Sequence, residues 1–127
     1  LFVSPTGACK APMTAAMVQQ RFGETVEADS CGLRPAAGLD PTMIRVMEQS
    51  GTDMGYRKPL SLDRRTDGNV PDRVIMIGDA RDQEPIPGAR TEQWPMSNVP
   101  EADENAMKAL HRTLEETIDR RIMSMIT

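Results

Sequence analysis

The sequence has 127 residues, a length that predicts a single domain, residues 1–127, whose core needs no disulfide or metal ion. With 39% hydrophobic and 27% charged residues, the composition indicates a soluble globular protein and excludes a disordered chain. The net charge of -4 argues against nucleic acid as a partner, and the apolar runs are too short for a membrane span or a leader, so we expect a cytoplasmic protein.

Strand and helix patterns alternate along the chain. Pro12 and the pair Asp40-Pro41 mark the first turns of two helices, and Gly51 ends the second. Apolar residues at positions 107–125 recur on one face of a long terminal helix. In chain order, we predict a strand at 1–3, a helix whose first turn contains Pro12 and which ends at 22–23, a strand at 26–30 and a helix at 41–50. A long loop at 52–71, strands at 73–78 and 90–94, and the terminal helix follow.

This alternation predicts an α/β fold. The expected architecture is a doubly wound, mostly parallel four-stranded sheet with helices on both faces. Sheets of this kind bind ligands beyond the carboxyl ends of their strands, and the loop of residues 4–11 falls at such an end.

The loop of residues 4–11, called here the first loop, joins the first strand to the first helix. Its small residues let backbone N–H groups turn toward a common centre, and the start of a helix favours negative charge. Lys10 adds a positive charge, which we expect at the rim of a pocket. An oxyanion site and an ordinary loop with an exposed lysine both remain open. The candidate anion-binding residues are Ser4, Thr6, Gly7, Ala8, Cys9, Lys10 and Ala11.

Residues 2–13 resemble the phosphate loop of the low-molecular-weight protein tyrosine phosphatase and arsenate reductase family. In that loop Cys, five residues and then Arg or Lys precede Ser-Pro-Met or a variant, and here Ser4 stands at the cysteine position. The similarity continues through Ser-Cys-Gly at 30–32, Asp-Pro at 40–41 and the stretch 73–79. It therefore covers nearly the whole chain and implies the fold of that family.

Lys10, the pair Gly78-Asp79 and Trp94 resemble the actinobacterial arsenate reductases that use mycothiol. This resemblance implies no bound cofactor, and it implies mycothiol or another low-molecular-weight thiol as co-substrate of an active enzyme. The implied ligand is a small oxyanion, which is arsenate, phosphate or sulfate, or the phosphate of a phosphorylated partner. Asp79 directly follows a strand and is a further candidate as an acid or a positioning group, whereas we expect Asp82 to be a solvated loop carboxylate.

The cysteines have few roles open to them. The thioredoxin-linked branch of the family has two further redox cysteines where this chain has Ile77 and Glu84, so a triple-cysteine relay is excluded. Cys9 lies in the first loop, where positive potential would lower its thiol pKa, but we favour a packing role for it and for Cys31. With one histidine, two cysteines form neither a disulfide framework nor a zinc site.

The departures from the family affect the chemistry of the first loop. A serine hydroxyl without an adjacent base is a poor nucleophile, so Ser4 predicts impaired catalysis. Gly7 replaces the family's bracing asparagine, Ala11 replaces its hydroxyl residue, and Ser97-Asn98 stand near the position of its acid. An engineered Cys-to-Ser change would explain Ser4 alone. We therefore favour a natural variant, and both origins remain open.

Three functions follow. The first is a protein that binds an oxyanion in the first loop with impaired catalysis. The second is an active thiol-dependent arsenate reductase whose nucleophilic cysteine is replaced by Ser4. The third is a non-catalytic interaction module that uses the loop of residues 52–71 as its binding surface.

Overall fold

The computed structural model describes residues 1–54, 58–62, 71–78, 88–96 and 103–126. Its strands form a parallel four-stranded sheet in the order β2-β1-β3-β4, so the predicted α/β fold class is confirmed. The elements in chain order are β1 (Phe2–Ser4), α1 (Lys10–Phe22), β2 (Ser30–Gly32), α2 (Pro41–Gln49), β3 (Arg73–Ile77), β4 (Arg90–Trp94) and α3 (Glu104–Ile126).

The second strand lies later in the chain than the sequence predicted. β2 pairs in parallel with β1, with Ser30 opposite Phe2 and Gly32 opposite Ser4. The backbone is still turning at Val26, whose N–H donates to the carbonyl oxygen of Phe22 at 2.7 Å. The predicted strand at 26–30 was therefore wrong except at its last residue.

Each face of the sheet carries its own apolar cluster, because side chains alternate along a strand. One cluster contains Phe2, Ile75, Ile77 and Trp94, and the other contains Val3, Cys31, Val74 and Met76. All three described helices contribute to the first cluster, where α1 contacts β1 and α3 packs against α1 and α2. The predicted helices on the second face lie outside the described residues.

The helices begin and end where their sequences indicate. The Asp40 carboxylate caps α2 by accepting hydrogen bonds from the N–H groups of Thr42 at 2.8 Å and Met43 at 3.2 Å. Gly51 follows the end of this helix with φ of 90°, a conformation that favours glycine. The predicted stripe of α3 is buried at Met107, Leu110, Leu114, Ile118 and Ile122.

The centre of the sheet contains a topological switch point. β1 and β3 are neighbours, and the chain leaves β1 toward β2 on one side but leaves β3 toward β4 on the other. Ligands of open α/β sheets bind beyond the carboxyl ends of such strands. The first loop follows β1 at this point, and Gly78 follows β3.

Candidate functional site

The carbonyl groups of the first loop are held by residues 33–40, called here the support segment, which joins β2 to α2. Four backbone N–H groups donate across this contact: Leu33 to Ser4 (3.2 Å), Arg34 to Pro5 (2.8 Å), Ala36 to Thr6 (3.0 Å) and Asp40 to Ala8 (2.9 Å). Within the described part of the chain, the N–H groups of Thr6, Ala8 and Cys9 have no protein acceptor. Backbone amides of this kind at a helix start can bind an anion.

Gly7 gives the first loop its shape. Its φ of 64° lies in the left-handed region, where glycine has no steric penalty. A Cβ built on Gly7 would approach the amide nitrogen of Gly32 to 2.8 Å, so the two backbones are in direct contact. Glycine in place of the family's asparagine is therefore compatible with a tightly folded loop.

Ser4 lies at the base of the first loop. Its side chain is buried, with only 3% of the residue exposed, and its Oγ accepts a hydrogen bond from the Gly7 N–H at 3.1 Å. Within the described residues, no imidazole or carboxylate contacts this hydroxyl. The histidine of the chain, His111, lies on α3, where its Nδ1 is 2.9 Å from the Glu115 carboxylate.

Lys10 is more deeply buried than the sequence suggested. It is the first residue of α1 and is 8% exposed, so the expected position at an open pocket rim was wrong. Its Nζ lies over Gly78, where a built Cβ would approach it to 3.2 Å. The lysine side chain therefore extends from the start of α1 to the carboxyl end of β3.

Cys9 packs against the C-terminal helix. Its Sγ lies 3.6 Å from the Sδ of Met107, and burial raises the pKa of the thiol to about 12. The Asp40 carboxylate adds to this increase, whereas Lys10 opposes it. The sulfur contact and the raised pKa argue against a reactive thiol with a lowered pKa. They agree with the packing role that we favoured.

The structure describes some of the remaining predicted residues but not others. Asp79, Asp82, Ser97 and Asn98 lie outside the described residues, as does much of the loop at 52–71. Thr6 is exposed, whereas Ala11 is fully buried, with no accessible surface. Trp94 is a core residue whose ring centroid lies 5.7 Å from that of Phe2.

Two glycines contribute to the site that the sequence analysis did not single out for this role. Gly32 ends β2 beneath the first loop, and Gly78 follows β3 beneath the Lys10 side chain. The available signal was a glycine at the end of a predicted strand for Gly78, and two residues beyond one for Gly32, since glycines at such places let backbone or side chains approach closely.

A cavity of about 580 Å³ opens at the other end of the sheet. It is lined at the amino ends of the strands by residues that include Leu1, Asp29, Arg73 and Ile122, and none of its lining residues belongs to the first loop. Backbone amides without a protein acceptor at a helix start indicate an anion site better than cavity size does, so the first loop is the candidate site.

The described residues contain no group of three or more His, Cys, Asp or Glu side chains placed to hold a metal ion. In the same part of the chain, no helix combines the length and the apolar character needed to cross a bilayer.

Several solved structures share this fold. An arsenate reductase in the phosphate binding state superposes with a TM-score of 0.84 at 18% identity, covering 99% of this chain and 96% of its own. The thioredoxin-dependent arsenate reductase of Corynebacterium glutamicum gives 0.72 at 19% identity, covering 97% of this chain and 61% of its own. The tyrosine phosphatase of Escherichia coli K30 in complex with sulphate gives 0.76 at 15% identity, covering 98% of this chain and 95% of its own.

At such low identities these structures establish the fold alone. A match to a sequence family over most of the chain establishes that the chain belongs to that family. The family of low molecular weight phosphotyrosine protein phosphatases matches residues 1–119. That range includes β1, the first loop, the support segment and most of α3. This chain belongs to the low molecular weight phosphotyrosine protein phosphatase family.

Proposed function

We propose that this chain binds a tetrahedral oxyanion, which is phosphate, arsenate or sulfate, in the first loop, with impaired catalysis of the family reaction. The observation that carries the proposal is the set of four hydrogen bonds from the support segment. They occupy carbonyl oxygens of the loop, and the N–H groups of Thr6, Ala8 and Cys9 remain for a ligand. A phosphorylated partner in the cytoplasm would present the same anion.

The electrostatics of the first loop support an anionic ligand. The amino end of α1 carries the positive end of the helix dipole, and the first turn contains no acidic residue to offset it. Lys10 brings a full positive charge to the same helix end. Two of the structural relatives are described with phosphate or sulphate bound, which agrees with this chemistry.

Impaired catalysis follows from the chemistry of Ser4. A family nucleophile is a thiolate, which is nucleophilic without a general base, whereas a serine hydroxyl must lose its proton as it attacks. Ser4 accepts a hydrogen bond from Gly7, and within the described residues no base contacts its hydroxyl. We therefore infer that the oxyanion binds reversibly, with no covalent adduct on Ser4.

Isothermal titration calorimetry at low ionic strength tests the binding. We expect phosphate, arsenate and sulfate to bind with modest affinity, because a lysine ammonium lacks the paired donors that arginine offers to two oxygens. Nitrate, a planar anion of lower charge, is the control at the same ionic strength. The absence of detectable binding of all three tetrahedral oxyanions would contradict the proposal.

A second function is favoured by the position of Ser4, whose side chain lies at the base of the loop with a backbone amide directed at it. With cysteine at position 4, that amide would stabilise a thiolate. The thiolate would displace hydroxide from arsenate to form a sulfur–arsenic(V) adduct, and a low-molecular-weight thiol such as mycothiol would attack its sulfur, so that arsenite leaves with the electron pair and the two sulfurs form a disulfide. This function applies if the natural protein has cysteine at position 4.

The Ser4→Cys variant tests this second function, with Ser4→Ala as the matched control. We expect Ser4→Cys to reduce arsenate in the presence of mycothiol and its redoxin, or to hydrolyse an aryl phosphate, and Ser4→Ala to do neither. If Ser4→Cys shows neither activity, the active enzyme is excluded, whereas the binding proposal stands or falls with the calorimetry.

A further inference from the structure

Gly78 has a fixed backbone at the carboxyl end of β3. Its N–H donates to the carbonyl oxygen of Trp94 at 3.2 Å, which continues the pairing of β3 with β4 by one residue. Its φ of 71° lies in the left-handed region. Gly78 thus turns the chain at the switch point, on the strand next to the one that leads into the first loop.

The space over the Gly78 α-carbon is occupied by the Lys10 side chain. A Cβ built on Gly78 would lie 3.2 Å from Lys10 Nζ and 3.7 Å from its Cδ, and the next nearest atom is the Met96 carbonyl oxygen at 3.8 Å. The tip of a lysine is flexible, so it would move by a few tenths of an ångström or change rotamer to admit a methyl group. The position of the ammonium therefore depends on residue 78 having no side chain.

We propose that Gly78 is a positioning residue of the oxyanion site, because its missing side chain allows the Lys10 ammonium to lie at the switch point beside the first loop. This inference rests on the proposed binding function. Lys10 and Gly78 are far apart in sequence, yet they meet where β1 and β3 end side by side. In this proposal, Gly78 acts on the ligand through Lys10.

Gly51 provides a matched control for the backbone. It also has a positive φ, 90°, but a Cβ built there meets nothing within 4 Å. Alanine at either position therefore introduces left-handed strain, while only alanine at position 78 contacts Lys10. A turn-forming role alone predicts similar effects at the two positions, whereas a positioning role predicts an effect on the ligand at position 78 only.

The first experiment compares phosphate binding to the parent, Gly78→Ala and Gly51→Ala by calorimetry. We expect Gly78→Ala to bind phosphate roughly two- to fourfold more weakly, the scale of a few tenths of an ångström of added charge separation near a protein surface. Gly51→Ala should bind as the parent does. If Gly78→Ala fails to fold, the pair Gly78→Asn and Gly51→Asn replaces it, because asparagine tolerates the left-handed region better.

The second experiment observes Lys10 directly in the ligand-free protein. The chain has lysines at positions 10, 58 and 108, so carbon-13 labelling of the lysine side chains gives few signals, and Lys10→Met assigns the relevant one. We expect Gly78→Ala to shift the Lys10 signal and Gly51→Ala to leave it unchanged. An unshifted Lys10 signal in Gly78→Ala would overturn the inference.

The outcomes separate the two proposals. If the parent binds phosphate and Gly78→Ala binds it equally well, the role of Gly78 is overturned and the binding function stands. If the parent binds none of the three oxyanions, the binding function is overturned, and the positioning role falls with it.

Discussion

Gly7 and Gly32 meet backbone to backbone beneath the first loop. A Cβ built on Gly32 would lie 2.5 Å from the amide nitrogen of Gly7, and one built on Gly7 would lie 2.8 Å from the amide nitrogen of Gly32. A Cβ atom at either position would require the main chain to move. The loop is therefore fixed on β2 by close approach as well as by the hydrogen bonds of the support segment.

Gly32→Ala should damage both the loop and the fold. The added methyl group would collide with backbone atoms, which cannot rotate away, so we expect the free energy of unfolding to fall by about 1–3 kcal/mol. Phosphate binding should weaken as well, since the amides of the loop would be displaced. Urea denaturation and calorimetry measure the two effects.

Gly38→Ala is the matched control for Gly32→Ala, because a Cβ built on Gly38 meets nothing within 4 Å. We expect its free energy of unfolding to stay within about 0.5 kcal/mol of the parent. Equal stability of the two variants would show that the contact between Gly7 and Gly32 has been misjudged.

Ser4→Ala should lower stability through the loss of one buried hydrogen bond. The Gly7 N–H would lose its acceptor, the Ser4 Oγ, and an unsatisfied buried amide costs about 1–3 kcal/mol. We expect phosphate to offset part of this loss, because the released amide can donate to the bound anion. Thermal unfolding with and without phosphate measures both effects, and Ser124→Ala on the exposed face of α3 is the control. A Ser4→Ala variant as stable as the Ser124→Ala variant would contradict the prediction.

The sequence predicted most of the fold because its strongest signals are local. The Asp40-Pro41 start, the Gly51 end and the apolar stripe of α3 each depend on neighbouring residues, and all three are confirmed. β2 was misplaced because Ser-Cys-Gly has no strand pattern of its own. Its strand conformation comes from pairing with β1, which a local pattern does not contain.

The site was predicted less completely than the fold, for the same reason. The first loop was proposed as an anion site from its own residues and its resemblance to a family, but the sequence did not indicate that Lys10 is buried with its Nζ over Gly78, far along the chain. The raised pKa of Cys9 depends on burial in a core that includes Met107, its sulfur partner on the last helix. Properties that arise from such distant contacts cannot be derived from the spacing of nearby residues.

Lys10→Met should remove the main side-chain charge on the anion while keeping the buried stem of the side chain. We expect phosphate binding to weaken by about 1.5–3 kcal/mol, the scale of a hydrogen bond to a charged group. Methionine is the better choice than alanine because Lys10 is buried, and truncation would also leave a cavity. Lys108→Met, at an exposed position on α3, is the control for net charge. If Lys10→Met binds phosphate as well as Lys108→Met does, the anion site lies elsewhere.

The raised pKa of Cys9 predicts a loss of stability at alkaline pH. The unfolded thiol loses its proton near pH 9.0 and the folded thiol near about 12, because burial and the Asp40 carboxylate disfavour the thiolate. Between these values the unfolded state binds fewer protons than the folded state, so the free energy of unfolding falls as pH rises, by at most about 1.4 kcal/mol per pH unit for one proton. Urea denaturation of the parent and Cys9→Ala from pH 7.5 to 10 measures this, since Cys31 and all other titrating groups are common to both proteins. We expect a shallower decline for Cys9→Ala, and equal slopes would contradict a raised Cys9 pKa.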